Sequence, residues 1–427
     1  MAGPLLGVLA DDFTGATDAA MAFRRAGLRT AIHFGSPQPG WSVIDADAVV
    51  VALKTRTIAP ADAVRSTRAA ARQLVSIGAD QIYFKYCSTF DSRPDGNIGP
   101  VLDDLTELLD AQQVVVCPAS PEHHRTVYQG HLFVGAELLS ESPMRHHPLT
   151  PMRDSSIQRL LAPQTRHPVD LIGYDEVRSG AEAIAGAFAR LATDGARYAV
   201  VDAITDDDLT ALATAAAGHP LISGAAGLAE GLGRFRAARL HRAHTSTAPI
   251  GHPRTARSAV LAGSCSARTL EQVEAMRAVH PSHFLDAAAT PDSDVLAAAA
   301  FAFVDTLTPG QTPLIYSTLP PEVLRETQEI LGRDAAAQIL ERAMGIIARG
   351  LADRGFDHLI VAGGETSGAV VSALEIGLAA IGEQVAPGLC WVHPTDRPAL
   401  ALLLKSGNFG SPNLLVDTVA QPTGALA

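Results

Sequence analysis

Cysteine is scarce in this chain: Cys87, Cys117, Cys265 and Cys390 stand far apart, and no two of them form a C-x-x-C pair. That spacing excludes a zinc knuckle and argues against a disulfide framework, so reduced, mostly buried thiols are the simplest reading. Positive charge is also short, with 33 Lys and Arg against 45 Asp and Glu and a net charge of −12. Nucleic acid requires a basic stripe and is excluded as a partner; a phosphorylated small molecule needs only a few local cations. No apolar run reaches the ~20 residues that span a bilayer. Met1-Ala-Gly-Pro4 carries no basic region before the apolar residues 5–9, so no signal peptide is expected and the location is read as cytoplasmic.

Several chemical signatures are missing too. There is no G-x-x-x-x-G-K-[ST], and no G-x-G-x-x-G follows a strand in the dinucleotide-binding manner. Gly-x-Ser-x-Gly is absent, which argues against a hydrolase. The pairs His123-His124 and His146-His147 lack the i, i+4 spacing of helical metal ligands, so no protein-held metal is expected.

What the chain does contain is His358-Leu-Ile-Val-Ala-Gly-Gly-Glu-Thr-Ser-Gly368. A short apolar strand runs through Gly363 and Gly364 into Glu365, Thr366 and Ser367, with a helix expected from Ser367. A helix N-terminus aims unpaired N–H groups and partial positive charge at one point, where phosphates settle. Lys405-Ser-Gly-Asn-Phe-Gly410 offers a second glycine loop, at Gly407, with a cation. Gly263-Ser-Cys-Ser266 is a third strand-to-helix turn, where Ser264 and Ser266 are candidate nucleotide contacts.

The rhythm of the chain is β-α-β-α. Strands are expected at residues 5–10, 46–53, 81–85, 114–117, 198–202, 259–262, 314–317 and 358–362, with helices between them at 17–26, 61–77, 101–109, 181–193, 206–217, 269–279 and 335–354. This alternation implies α/β architecture: two domains, each a mostly parallel sheet covered by helices, with the active site in the interdomain cleft. Residues 241–258 are polar, carry two prolines and read as a linker. The expected division is therefore 1–240 for an N-terminal domain and 259–427 for a C-terminal one.

In the N-terminal part, three strand ends carry ligand-like chemistry. Asp11 and Asp12 follow the first strand, and either could act as general base toward a substrate hydroxyl; the plainer alternative is a helix cap. Lys54 and Arg56 follow the next, Arg56 suiting bidentate capture of a carboxylate. Lys85, Ser88, Thr89 and Asp91 follow the third, with Lys85 as a point charge, and His147 is a further candidate donor. Together these suit a small polyhydroxylated acid.

Taken in order, these segments resemble the four-carbon acid sugar kinase family. The matching stretches are 10–18, 83–92 with 96–100, Arg125-Thr-Val-Tyr-Gln-Gly130, 144–155, Gly263-Ser-Cys-Ser266, 362–368 and 405–410. Within the family, the Phe-Lys-Tyr-Cys-Ser-Thr-Phe-Asp-Ser block and Arg145-His-His-Pro148 look most like its 3-oxo-tetronate kinase branch, whose relatives act on threonate or erythronate. The resemblance implies an N-terminal domain for the sugar acid and a C-terminal domain for ATP, with Mg²⁺ arriving on the nucleotide. It places ATP contacts at Ser264, Gly364 through Ser367, and Gly407. Ser223-Gly-Ala-Ala-Gly227 and Glu122-His-His124 depart from the family pattern. A dehydrogenase or aldolase would need a fingerprint or Schiff-base lysine that is not evident, and a non-catalytic sugar-acid sensor would have no use for two phosphate loops. The partners expected are a sugar acid and ATP, with a homo-oligomer left open.

Overall fold

Leu5–Ala10 forms a strand (β1) because it is apolar throughout, and all of it but Leu5 is buried, as a parallel strand covered on both faces requires. The computed structural model describes residues 5–41, 43, 46–146, 150–240 and 257–420. Contacts divide the chain into two units, Met1–Ser246 and Thr247–Ala427. The segment read as a linker lies outside the described residues as far as position 256, and His147 lies outside them as well.

In the first unit the strands after β1 are Thr30–Phe34 (β2), Ala48–Ala52 (β3), Ala79–Lys85 (β4) and Val114–Cys117 (β5). A small antiparallel sheet follows, of Arg125–Tyr128 (β6), His131–Val134 (β7) and Glu137–Leu138 (β8). Val169–Ile172 (β9), Tyr198–Val201 (β10) and Leu221–Gly224 (β11) complete the unit. The main sheet is parallel, in the order β2-β3-β1-β4-β11-β5-β10-β9. From β1 the chain proceeds toward β2 and β3 on one side, and from β4 toward β5 on the other. The neighbouring ends of β1 and β4 therefore flank a topological switch point, where open α/β sheets bind ligands. Ala10 pairs with Lys85 there, so Asp11 and Asp12 emerge beside that lysine.

The second unit repeats the device. Its strands are Ser258–Ala262 (β12), Ser282–Phe284 (β13), Leu314–Tyr316 (β14), His358–Ala362 (β15), Leu378–Ala386 (β16), Leu389–Pro394 (β17) and Ala401–Lys405 (β18). Their order is β13-β14-β12-β15-β18-β17-β16, and β17 runs antiparallel to both neighbours. From β12 the chain turns toward β13 and β14, and from β15 toward β18, so a switch point lies between β12 and β15. Ala262, Ala362 and Lys405 are in register, which lines up the loops at 263–266, 363–367 and 406–407. Val260, Ile360 and Leu403 hold these strands from below as part of one buried apolar cluster.

Candidate active site

In the first unit, Asp12 caps the Phe13–Arg25 helix: its carboxylate accepts the Gly15 N–H at 3.0 Å and the Thr14 hydroxyl at 2.7 Å. Capping does not exhaust its surroundings. Arg56 donates to Asp12 at 2.6 Å and to both oxygens of Asp11, at 2.9 and 2.7 Å. Lys85 is only 4% exposed, and a Cβ added at Gly15 would overlap both its ammonium and the Asp12 carboxylate. Two acids and two cations thus share one strand-end crevice.

The two acids differ. Burial raises the Asp11 carboxyl above its ordinary value, against the pull of Arg56. Burial acts on Asp12 as well, but Arg56, Lys85 and the bonds from Thr14 and Gly15 outweigh it and hold that carboxyl low. Neighbouring acids pushed apart in this way suit different work. Asp12 stays ionised and is the more accessible, its side chain 19% exposed against 7% for Asp11. Asp11 is a framework residue, whose carbonyl also accepts the N–H groups of Thr55 and Arg56.

Arg56 differs from the sequence expectation. Its guanidinium is committed to carboxylates of the protein itself, not left open for one on a ligand. Arg56→Ala is therefore expected to act on stability first, by stranding Asp11 and Asp12. Breaking such a pair costs about 3 kcal/mol, the lower end of the range for buried pairs because Arg56 keeps 22% exposure. Urea denaturation measures it; an unchanged midpoint would show that the pair does not hold this crevice.

The remaining candidates sort by burial. Lys54 is exposed, with its ammonium 5.7 Å from the Phe13 ring centre. Ser88 is half-buried. Thr89 donates to Asp91 at 2.6 Å and lies 2.9 Å from the Cys87 sulfur, so the loop after β4 is bonded within itself. Three contributors escaped the sequence reading. Asn97 donates to the carbonyls of Thr55 and Ile58 at 2.6 and 3.1 Å, pinning the Arg56 loop. Asp18 has its carboxyl raised by burial, and Lys85 is a nearby cation that pulls the other way. Arg125 follows the turn after β5. Gly96-Asn97 in a post-strand loop was the available signal for the first, and one helical turn of spacing from Thr14 for the second. The departure at Glu122 has a structural account, since Glu122 receives both Nη groups of Arg25 at 2.7 Å and so ties its turn to the Phe13–Arg25 helix.

In the second unit, the helix after β15 spans Gly364–Ala373, starting three residues before the expected position. Glu365 and Thr366 therefore belong to its first turn. Gly363, at φ 130°, is the N-cap, and Ser367 donates the first helical bond to its carbonyl at 2.8 Å. The N–H groups of Gly364, Glu365 and Thr366 precede that bond and have no acceptor within the helix, the condition under which a helix start can receive an anion. Gly364 and Glu365 are exposed, whereas Ser367 is fully buried with its hydroxyl turned inward. The Thr366 hydroxyl would lie 3.1 Å from a Cβ at Gly363.

Ser264 and Ser266 both lie against Gly407, where a Cβ would stand 2.5 Å from one hydroxyl and 3.0 Å from the other. Ser266 caps the Ala267–Val279 helix and donates to the Gly407 carbonyl at 2.7 Å, so its hydroxyl shapes the loop. The Ser264 hydroxyl accepts the Ser266 N–H at 3.3 Å. Lys405 is not the outward cation its position suggests. It is fully buried and donates to Thr269, Ser406 and Gly407 at 3.1, 2.9 and 2.8 Å. Burial pushes its ammonium down to about 7. It anchors the loop from beneath. No group of three or more His, Cys, Asp or Glu among the described residues is arranged to hold a metal ion, and no described helix is long and apolar enough to cross a membrane.

Comparison with known proteins matches residues 6–232 to the model of a sugar-binding N-terminal domain and residues 259–415 to that of a nucleotide-binding C-terminal domain. The 3-oxo-tetronate kinase of Burkholderia multivorans is 46% identical over 410 residues, 96% of this chain and 95% of that one. The 3-oxo-tetronate kinase of Pseudomonas fluorescens is 44% identical over 428 residues, 99% and 98% of the two chains. Among solved structures, a Salmonella typhimurium protein aligns with a TM-score of 0.85 at 39% identity, over 97% of this chain and 98% of its own. A Haemophilus influenzae protein aligns at 0.76 and 37%, over 98% and 100%.

Proposed function

The chain belongs to the four-carbon acid sugar kinase family, and on that premise we propose that it transfers the γ-phosphoryl group of ATP to the C4 hydroxyl of a 3-oxo-tetronate, giving the 4-phosphate. The observation that carries the reading is the near-complete identity span with 3-oxo-tetronate kinases, at 44–46%. The two strand-end sites supply a chemistry to match.

Phosphoryl transfer asks mainly for positioning and for neutralisation of charge on the moving group. The N–H groups of Gly364, Glu365 and Thr366 and the hydroxyl of Ser264 hold the ATP phosphates. Gly363 and Gly407 let those phosphates approach the backbone. Glu365, exposed in the first turn, would repel a bare polyphosphate, so a cation must accompany the nucleotide. Mg²⁺ carried by ATP would neutralise charge on the phosphates, in keeping with the lack of a dedicated metal cage among the described residues. In the first unit, Asp12 orients the C4 hydroxyl and takes its proton as the O–P bond forms, while Lys85 supplies positive charge beside it. Ser88, Thr89, Asp91 and Lys54 serve the remaining oxygens of the acid.

ADP release measured over a panel of four-carbon acids tests the proposal. Turnover is expected to be fastest with the 3-oxo acids, slower with threonate and erythronate, and lost in excess EDTA. A preference for threonate or erythronate would move the substrate within the family. Nucleotide binding without turnover of any acid would indicate a sensor and end the kinase reading. Full activity in EDTA would remove the metal from the mechanism.

A further inference from the structure

Arg125 opens β6, just past the turn that follows β5. One of its Nη groups donates to the carbonyl of His123 at 2.6 Å and more distantly to that of His124 at 3.4 Å. Its Nε is buried and has no partner, and the guanidinium makes no ion pair among the described residues. Arg197 is likewise partly buried and donates to backbone carbonyls, those of Ala111 and Gln112, whereas other sheltered arginines of this unit pair with acids. Arg25 pairs with Glu122 and Glu230, Arg29 with Asp47, and Arg68 with Asp104. A sheltered guanidinium presents a rigid fork of donors, and leaving such donors unsatisfied is costly.

Its neighbours define what is missing. The acidic group that acts on Arg125 is Asp91, with the Cys87 thiol beside it, both in the loop after β4. Cys87 in turn lies under the influence of Asp91, Arg56 and Lys85, which puts Arg125 on the Lys85 side of the switch point. Asp91 already accepts the Thr89 hydroxyl, and burial pushes the Cys87 thiol up to about 11, so it carries no charge at neutral pH. Arg56 is neutralised by Asp11 and Asp12. What remains around the neutral sulfur is Lys85 and an Arg125 that feels Asp91 but makes no ion pair among the described residues.

We propose that Arg125 receives the carboxylate of the sugar acid, so that the far end of the substrate, with its C4 hydroxyl, points toward Asp12. The assignment rests on the kinase reading above and names the residue that selects an acid over an uncharged sugar. Strands β1 and β5 are separated by β4 and β11, so their ends stand roughly 14 Å apart at ordinary strand spacing. A four-carbon acid hydrogen-bonded at both ends, reached by an arginine side chain, covers that distance. Lys85, between the two, faces the oxygens in the middle of the chain.

The test compares Arg125→Gln with the parent enzyme, using the 3-oxo acid and the uncharged four-carbon ketose that lacks its carboxylate. Binding is measured by calorimetry and turnover by ADP release. The variant is expected to lose on the order of 10²-fold in affinity for the acid, typical of a charge-assisted pair. Affinity for the ketose and for ATP should hold, so discrimination between acid and ketose collapses. Equal losses for acid and ketose would mark Arg125 as merely structural and overturn the proposal, as would an unchanged affinity for the acid. Should Arg125→Gln fail to fold, Arg125→Lys carries the test: it keeps the charge but not the fork, and selective weakening toward the acid is required of it too. If the parent binds the acid without phosphorylating it, the kinase reading fails while the binding comparison still judges Arg125. A parent that does not bind the acid at all overturns both.

Discussion

Asp12→Asn is expected to lower kcat by roughly 10²–10⁴, the usual worth of a general base, with KM for ATP almost unmoved. The substitution is unusually clean here. Asn caps helices as well as Asp does and keeps one acceptor oxygen for the Gly15 N–H, so the Phe13–Arg25 helix should keep its start, while the Thr14 hydroxyl turns to accept from the new amide. Arg56 retains its two bonds to Asp11, so the crevice keeps its main ion pair. What disappears is a carboxylate that two cations hold ionised. Rates measured at saturating acid and ATP decide the matter. A near-normal kcat would move proton acceptance to Asp11, Asp18 or Asp91, or show that positioning alone suffices for this transfer.

Gly407→Val is expected to remove measurable ATP binding, a loss of well over 10²-fold, while the sugar acid still binds in the other unit. The first added carbon would already stand 2.5 Å from the Ser264 oxygen and 3.2 Å from the Ser266 Cβ, closer than packed atoms tolerate. Ser264 would be pushed away, and the Gly407 carbonyl, which accepts from Ser266, Thr269 and Lys405, could not keep its place. Those bonds set the shape of the loop beside the Gly364 helix. Calorimetry with ATP and then with the acid separates the two effects. Normal ATP affinity in this variant would place the nucleotide elsewhere.

Much of the fold is legible in the amino-acid order. Val114–Cys117, Ala181–Thr193 and His358–Ala362 have the expected bounds, because continuous apolar runs and an alanine-rich amphipathic segment are local signals. Thr30–Phe34 and the Ala226–Arg239 helix are harder to read. The first is only five residues long with mixed burial, and the second holds three glycines besides its alanines. The antiparallel β16 and β17 are a different matter. Leu378–Ala386 includes Gly382 and Glu383, shows no clean alternation, and becomes a strand by pairing with Leu389–Pro394. Helix onset at Gly364 was missed because glycine has poor intrinsic propensity, which the open end of a strand-to-helix turn overrides.

The candidate site divides along the same physical line. The strand-to-helix turn at 363–367 depends on residues adjacent in sequence, so glycines after an apolar run and before a helix suffice to announce it. The ordered series of such motifs along nearly the whole chain likewise marks the family without any coordinates. The fate of each charge does not follow from local order. Arg56 meets its acids across 44 and 45 residues because β1 and β3 are neighbours, and Lys405 turns inward because Thr269 lies beneath it, 136 residues away. Arg125 makes no ion pair among the described residues for an equally distant reason. Sequence by itself determined the glycine-bearing strand-to-helix turns of one unit and the charged strand ends of the other. Only the tertiary structure decided which cations are neutralised within the protein, because ion pairing acts between side chains that the fold, not the chain order, brings together.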